Sequence, residues 1–127
     1  MRIIFMGTSE FGVPLLHALA ESAHEIAAVV TAPDKRAGRG LRENESPIKK
    51  AARALSVKVL QPPRIGAADS IESIKDLSPE LSITAAYGQI LPQALLNVPP
   101  LGSINVHPSL LPKYRGAAPI RRALMNG

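Results

Sequence analysis

Short apolar runs alternate with amphipathic stretches along the whole chain. Arg2–Gly7 is short, β-branched and closed by Thr8-Ser9, the pattern of a buried strand. Residues 14–22 carry Leu15, Leu16 and Leu19 at helical spacing, with Pro14 in the first turn, and predict a helix. Residues 25–31 form a second β-branched run, and residues 32–46 are polar and predict a long loop. Ser46-Pro47 then opens a helix to residue 55, with Ser46 as its N-cap. A short strand at 57–60 follows, then an amphipathic helix at 69–77 with Ile71, Ile74 and Leu77 on one side. A strand at 81–87, a helical turn at 93–97, a last strand at 102–107 and a helix at 117–125 complete the pattern. This alternation predicts an α/β fold: a doubly wound, mainly parallel Rossmann-like sheet flanked by helices and joined by right-handed crossovers. Ligands of such sheets bind beyond the carboxyl ends of the strands. That rule points to residues 7–12, 87–92 and 107–116. No repeat, low-complexity tract or linker interrupts the chain.

Composition narrows the picture. The 127 residues suffice for one domain with a real core, and 46% are apolar. Only Phe5, Phe11, Tyr87 and Tyr114 are aromatic, so that core is aliphatic. No apolar run approaches the roughly 20 residues of a membrane helix. Arg2 and the apolar run after it have the look of a leader, but Glu10 and the turn residues fit a first strand better. Cysteine is absent, which removes disulfides, thiolate nucleophiles and thiolate zinc sites. A cytoplasmic location is the default expectation. His17 falls within a helix and His24 in a turn, and neither belongs to an acidic cluster, so no metal site is expected.

The net charge of +5 is unevenly spread. Residues 34–64 hold nine bases against three acids, and residues 110–127 hold four bases and no acid. The remainder is acidic. Two basic blocks on an acidic scaffold suit a polyanion-facing surface, and equally a solvated loop plus a helix face. Lys35, Arg36, Arg39 and Arg42 lie in a run with two glycines, able to mould to a phosphate backbone without reading bases.

Two further motifs carry chemistry. Gly7 and Gly12 flank a strand-to-helix turn, but the third glycine of a dinucleotide fingerprint and a Gly-Lys-Ser/Thr are both missing. A tight turn is the preferred reading, with dinucleotide binding disfavoured. In Asn105-Val106-His107, strand alternation puts the amide and the imidazole on one face. An amide N–H can stabilise an oxyanion and an imidazole can move a proton. A strand-end histidine satisfied by backbone, beside an unrelated asparagine, fits the same three residues.

The run Ser103-Ile104-Asn105-Val106-His107-Pro108-Ser109-Leu110-Leu111-Pro112 resembles the signature of the 10-formyltetrahydrofolate-dependent formyltransferase family. Its extension, Arg115-Gly116-Ala117-Ala118-Pro119-Ile120, resembles the branch of that family acting on methionyl-tRNA. Ile3-Ile4-Phe5-Met6-Gly7-Thr8, the run from Pro33 to Gly40, and Ala86-Tyr87-Gly88-Gln89-Ile90-Leu91-Pro92 agree in order, so the resemblance spans nearly the whole chain.

The resemblance implies formyl transfer from 10-formyltetrahydrofolate to the α-amino group of initiator methionyl-tRNA during translation initiation. Asn105 and His107 would be catalytic. Tyr87, Gly88, Gln89, Ile90 and Leu91 would bind folate, together with Ser109, Leu110, Leu111 and Pro112. Lys35, Arg36, Arg39 and Arg42 would contact tRNA, and Phe11 the methionyl side chain. The family's catalytic Asp and its carboxy-terminal tRNA-binding barrel fall beyond Gly127. The chain is therefore expected to be the amino-terminal part of a catalytic domain, with the sheet incomplete at its carboxyl end and no activity alone, from a parent expected to be monomeric and without a membrane partner. Two other readings stand beside this one. Formylation of a small amine, such as a nucleotide sugar or glycinamide ribonucleotide, uses the same chemistry. A non-catalytic nucleic-acid-binding module explains the basic blocks but leaves Asn105 and His107 idle.

Overall fold

Alternate residues of the first strand serve two different cores. In β1 (Arg2–Gly7), Ile3 and Phe5 are buried against one cluster of side chains, and Ile4 and Met6 against another. A strand covered on both faces must be apolar where it is covered, as residues 3–6 are here. The computed structural model describes residues 1–37 and 42–107. A 3₁₀ turn at Glu10–Gly12 leads into α1 (Val13–Ala20) and then β2 (Glu25–Val30). After β3 (Lys35–Ala37), β4 (Arg42–Asn44) and α2 (Pro47–Ala54) comes the short β5 (Val59–Leu60). The rest is α3 (Ala68–Lys75), β6 (Leu81–Ala85), α4 (Gln93–Leu96) and β7 (Ser103–Val106).

Five of the strands form one sheet in the order β5-β2-β1-β6-β7, every neighbouring pair parallel. Leu15, Leu16, Leu19, Ile48 and Ala52 of α1 and α2 cover one face, and Ile74 and Leu95 of α3 and α4 are buried on the other. The chain therefore winds outward from β1 in one direction, returns, and winds outward in the other. The turn-back falls between β1 and β6, the crevice where doubly wound sheets bind ligands.

Local chemistry accounts for the boundaries. Ser46 caps α2 by accepting from the Lys49 N–H at 3.0 Å, and its hydroxyl also meets that of Thr31 at 2.7 Å. The turn after β1 is tight for steric reasons. A Cβ on Gly7 would meet the Ala85 carbonyl oxygen at 2.8 Å and the Phe5 ring at 2.9 Å. One on Gly12 would lie 3.2 Å from both Ile48 and Phe5. These glycines serve sheet and helix packing, in line with the tight-turn reading.

Three boundaries depart from expectation. Residues 32–46 are not all loop, because β3 and β4 pair as an antiparallel hairpin in the register Lys35↔Asn44, Arg36↔Glu43 and Ala37↔Arg42. The edge strand β5 is shorter than 57–60: only Val59 and Leu60 pair in register with β2, although the Lys58 carbonyl also accepts from the Val29 N–H at 2.8 Å. β6 stops at Ala85 because Ala86 turns into the left-handed region at φ +53°. The expected helix at 117–125 lies outside the described residues.

Candidate active site

At the carboxyl ends of β6 and β7 a cleft of about 690 Å³ opens on the α4 side of the sheet. Its walls come from residues 86–91 after β6, from Gln93, Leu96 and Asn97 at α4, and from Gly102 to His107 along β7. Asn105 and His107 both line it and both are exposed, whereas Val106 between them is buried in the opposite core. The alternation read from the sequence is thus realised. An amide and an imidazole sit at the end of an edge strand with Tyr87, Gly88, Gln89, Ile90 and Leu91 on the facing wall.

The facing wall has an uncommon backbone. Ala86 and Gly88 both have positive φ, +53° and +106°, and together they swing the chain out of the sheet. Among the described residues, the N–H and C=O groups of Gly88, Gln89, Ile90 and Leu91 make no hydrogen bond. Unpaired peptide groups lining a cleft are ready to be satisfied by a ligand. The Gln89 side chain is already committed: its Oε1 accepts from the Ile65 N–H at 2.9 Å and its Nε2 donates to the Pro63 carbonyl at 3.3 Å. Gln89 can therefore offer a ligand its backbone, while its amide braces the wall against the loop before α3. Ile90 is 94% exposed, an apolar side chain at the mouth of the cleft.

Two buried hydroxyls belong to the same residues. Thr84 pairs with Asn105 across the β6–β7 ladder and lines the cleft, yet its Oγ1 has no partner among the described residues. The Tyr87 hydroxyl is likewise buried and unpaired, and burial pushes its pKa above the ordinary 10.0.

The basic hairpin lies at the carboxyl end of β2, and an ion pair anchors its root. Lys49 Nζ donates to Asp34 Oδ1 at 3.1 Å and Oδ2 at 2.9 Å, and Gln61 Nε2 donates to Oδ1 at 2.8 Å. The bonds from Lys49 and Gln61 hold the Asp34 carboxyl below its usual value. Arg53 pairs with Glu45 in the same region. Lys49 and Arg53 are therefore engaged internally. Lys35 is exposed beside a crevice of about 320 Å³ that it shares with Thr8, Ser9 and Glu45.

The remaining sequence candidates divide plainly. Phe11 is half-buried against the α1–α2 core and does not line the cleft. Arg36 and Arg42 are placed by the hairpin register. Arg39, Ser109, Leu110, Leu111 and Pro112 lie outside the described residues, as does Arg115 to Ile120. Sequence reasoning missed Thr8, Thr84 and the Asp34–Lys49–Gln61 cluster. A threonine directly after the first strand was a visible signal for Thr8, whereas Gln61 lies 27 residues from Asp34 and gave none.

Comparison with known proteins fits this geometry. The chain is 52% identical over its full 127 residues to the methionyl-tRNA formyltransferase of Acetivibrio thermocellus, and 53% identical over 127 residues to that of Pelotomaculum thermopropionicum. It spans 41% of the length of each. Among solved structures, the fold is similar to a phosphoribosylglycinamide formyltransferase from Bacillus halodurans, with a TM-score of 0.61 at 16% identity, covering 100% of this chain and 66% of that one. A glycinamide ribonucleotide transformylase from Geobacillus kaustophilus gives a TM-score of 0.62 at 19% identity, covering 99% and 68%. A family model described as formyl transferase matches residues 1–127, and the chain belongs to that family.

Proposed function

We propose that the chain is the amino-terminal part of the catalytic domain of a methionyl-tRNA formyltransferase. In this reading it takes the formyl group of 10-formyltetrahydrofolate to the α-amino group of initiator methionyl-tRNA in the cytoplasm, and a tRNA-binding domain lies outside these residues. One observation carries the reading: Asn105 and His107 line the same cleft as the backbone of residues 88–91, which is unpaired among the described residues. A bicyclic pterin needs hydrogen-bond donors and acceptors, which peptide groups lining a cleft can supply. The cleft volume also falls within the range of small-molecule sites.

The chemistry follows from the groups at hand. The acceptor nitrogen attacks the formyl carbon, and negative charge develops on the formyl oxygen. The Asn105 Nδ2–H donates to that oxygen, and the His107 imidazole relays the proton lost by the attacking nitrogen to N10 of the donor. Collapse of the tetrahedral intermediate breaks the formyl C–N10 bond and releases tetrahydrofolate. Tyr87 and Gly88 shape the donor wall, and the peptide groups of Gln89, Ile90 and Leu91 hold the pterin. Ser109, Leu110, Leu111 and Pro112 complete the donor side. Lys35, Arg36, Arg39 and Arg42 meet acceptor-stem phosphates, and Phe11 meets the methionyl side chain.

Asn105→Ala and His107→Ala in the full-length protein test this assignment. Each is expected to lower kcat for methionyl-tRNA formylation by about 10²–10³-fold while the donor KM changes little. Rates within a few-fold of wild type would remove both residues from the mechanism. Faster formylation of glycinamide ribonucleotide than of methionyl-tRNA would move the reading to a small-amine acceptor.

A further inference from the structure

Thr8 joins three strand ends through one side chain. Its Oγ1–H donates to the Tyr87 carbonyl at 2.7 Å, and the same oxygen accepts from the Ala32 N–H at 3.3 Å. Its own N–H donates to the Ala86 carbonyl at 3.1 Å, and the Ser9 N–H approaches that carbonyl at 3.4 Å. The ends of β1, β2 and β6 therefore meet at this residue. Only a side chain that both donates and accepts through one atom can make the two Oγ1 contacts.

What Thr8 grips is the left-handed turn that shapes the cleft wall. Ala86 holds φ at +53°, a region that crowds any residue with a Cβ and persists only where the surroundings enforce it. The carbonyls of Ala86 and Tyr87 are the two that Thr8 engages, immediately before the four residues whose peptide groups are unpaired among the described residues. A relaxed Ala86 would let the segment continue along the direction of β6 and carry those peptide groups away from Asn105 and His107.

We infer that Thr8 is a positioning residue. It fixes the Ala86–Tyr87 turn so that the backbone of residues 88–91 stands ready for the formyl donor, although it touches neither substrate nor the reacting atoms. This inference rests on the reading of the cleft as the donor site.

The test compares Thr8→Val, Thr8→Ser and Thr8→Val with Ala86→Gly in the full-length protein. Donor and acceptor concentrations are varied separately, and a stable 10-formyltetrahydrofolate analogue is titrated calorimetrically. Valine keeps the volume and branching of threonine but makes neither Oγ1 contact. Thr8→Val is expected to raise the donor KM and the analogue Kd about tenfold, the scale of a lost hydrogen bond or two. The acceptor KM should hold, and Thr8→Ser should stay within about twofold because its hydroxyl remains. Adding Ala86→Gly should recover most of the loss, since glycine takes a positive φ without penalty. A Thr8→Val protein that melts lower but binds the analogue as tightly as wild type makes Thr8 merely structural and overturns the inference. Equal weakening of donor and acceptor overturns it too. If Thr8→Val does not fold, Ala86→Val carries the test with Thr8 intact: donor affinity should fall, and an unchanged affinity overturns the inference. A wild-type protein that fails to bind the analogue defeats the donor-site reading and the inference together. Wild-type binding with unaffected Thr8→Val binding defeats the inference alone.

Discussion

Thr84 occupies a position that packing alone would give to valine. It is 6% exposed, sits mid-ladder in β6, and its hydroxyl has no partner among the described residues. An unpaired buried hydroxyl costs about 1–3 kcal/mol, so the isosteric Thr84→Val should stabilise the fold by about 1 kcal/mol. Thermal melting should show a rise of several degrees, as expected for roughly 1 kcal/mol in a chain of about this size. An unchanged or lower melting temperature would mean that the hydroxyl is satisfied in solution. Tyr87 leads to a pH prediction. Burial raises its pKa above 10.0, so the folded state favours the neutral phenol. That contribution is fully present below pH 10 and declines as pH rises through the higher folded value. Tyr87→Phe should therefore flatten the alkaline loss of stability, and a base titration followed by circular dichroism checks it. Neither hydroxyl's situation was legible in the sequence, because burial and pairing depend on neighbours that only the folded sheet supplies.

The N-cap of α2 was legible, since Ser46-Pro47 is a local signal needing no tertiary partner. Ser46→Ala should cost about 1 kcal/mol, the usual scale of an N-cap, and a denaturant titration would measure it. A loss much above that scale would assign the excess to the bond with Thr31, which the sequence did not announce. The buried strands β1 and β2 were legible for a similar reason: cover on both faces demands a near-continuous apolar run, whereas β6 sets Ser82 and Thr84 between Leu81, Ile83 and Ala85. The hairpin of β3 and β4 was not, because its residues are polar and its root is fixed by Lys49 and Gln61 from α2 and the segment after β5. The Asp34 carboxyl that they hold is lowered below 3.8. Its contribution is present above pH 3.8 and is lost as pH falls through the lower folded value. Lys49→Gln should shift acid unfolding toward higher pH, with amide exchange rising first in residues 33–46. The turn at Ala86 was equally hidden. A left-handed alanine carries no compositional mark, and the contacts of Thr8 and Ser9 with the Ala86 and Tyr87 carbonyls come from a strand end far away in the chain.

For the molecule as a whole, strand order converts distant motifs into one site. Residues 87–91 and 105–107 were legible as neighbours because both leave strands at the carboxyl edge, and the parallel β6–β7 pairing makes that edge common. The placement of the basic hairpin was less so. Its charge was plain in the sequence, but its attachment to β1 and β6 runs through Thr8 and Ala32. Of the nine bases in residues 34–64, Lys49 and Arg53 are held in ion pairs, while Lys35 is exposed at the hairpin's root. Polyanion binding by the hairpin makes a quantitative prediction. Each phosphate contact steepens the fall of log affinity with log salt by about 0.7–0.9. Replacing Lys35, Arg36, Arg39 and Arg42 with alanine in the full-length protein should therefore make the slope for tRNA shallower by about 3, with donor-analogue affinity unchanged. Filter binding across a salt series measures the slope directly. A slope that does not move would place the tRNA contacts elsewhere and leave the hairpin a solvated loop. A weaker donor site in the same variant would show instead that the hairpin's root acts through Ala32 and Thr8 on the cleft, so the two measurements separate a surface that binds nucleic acid from one that braces the fold.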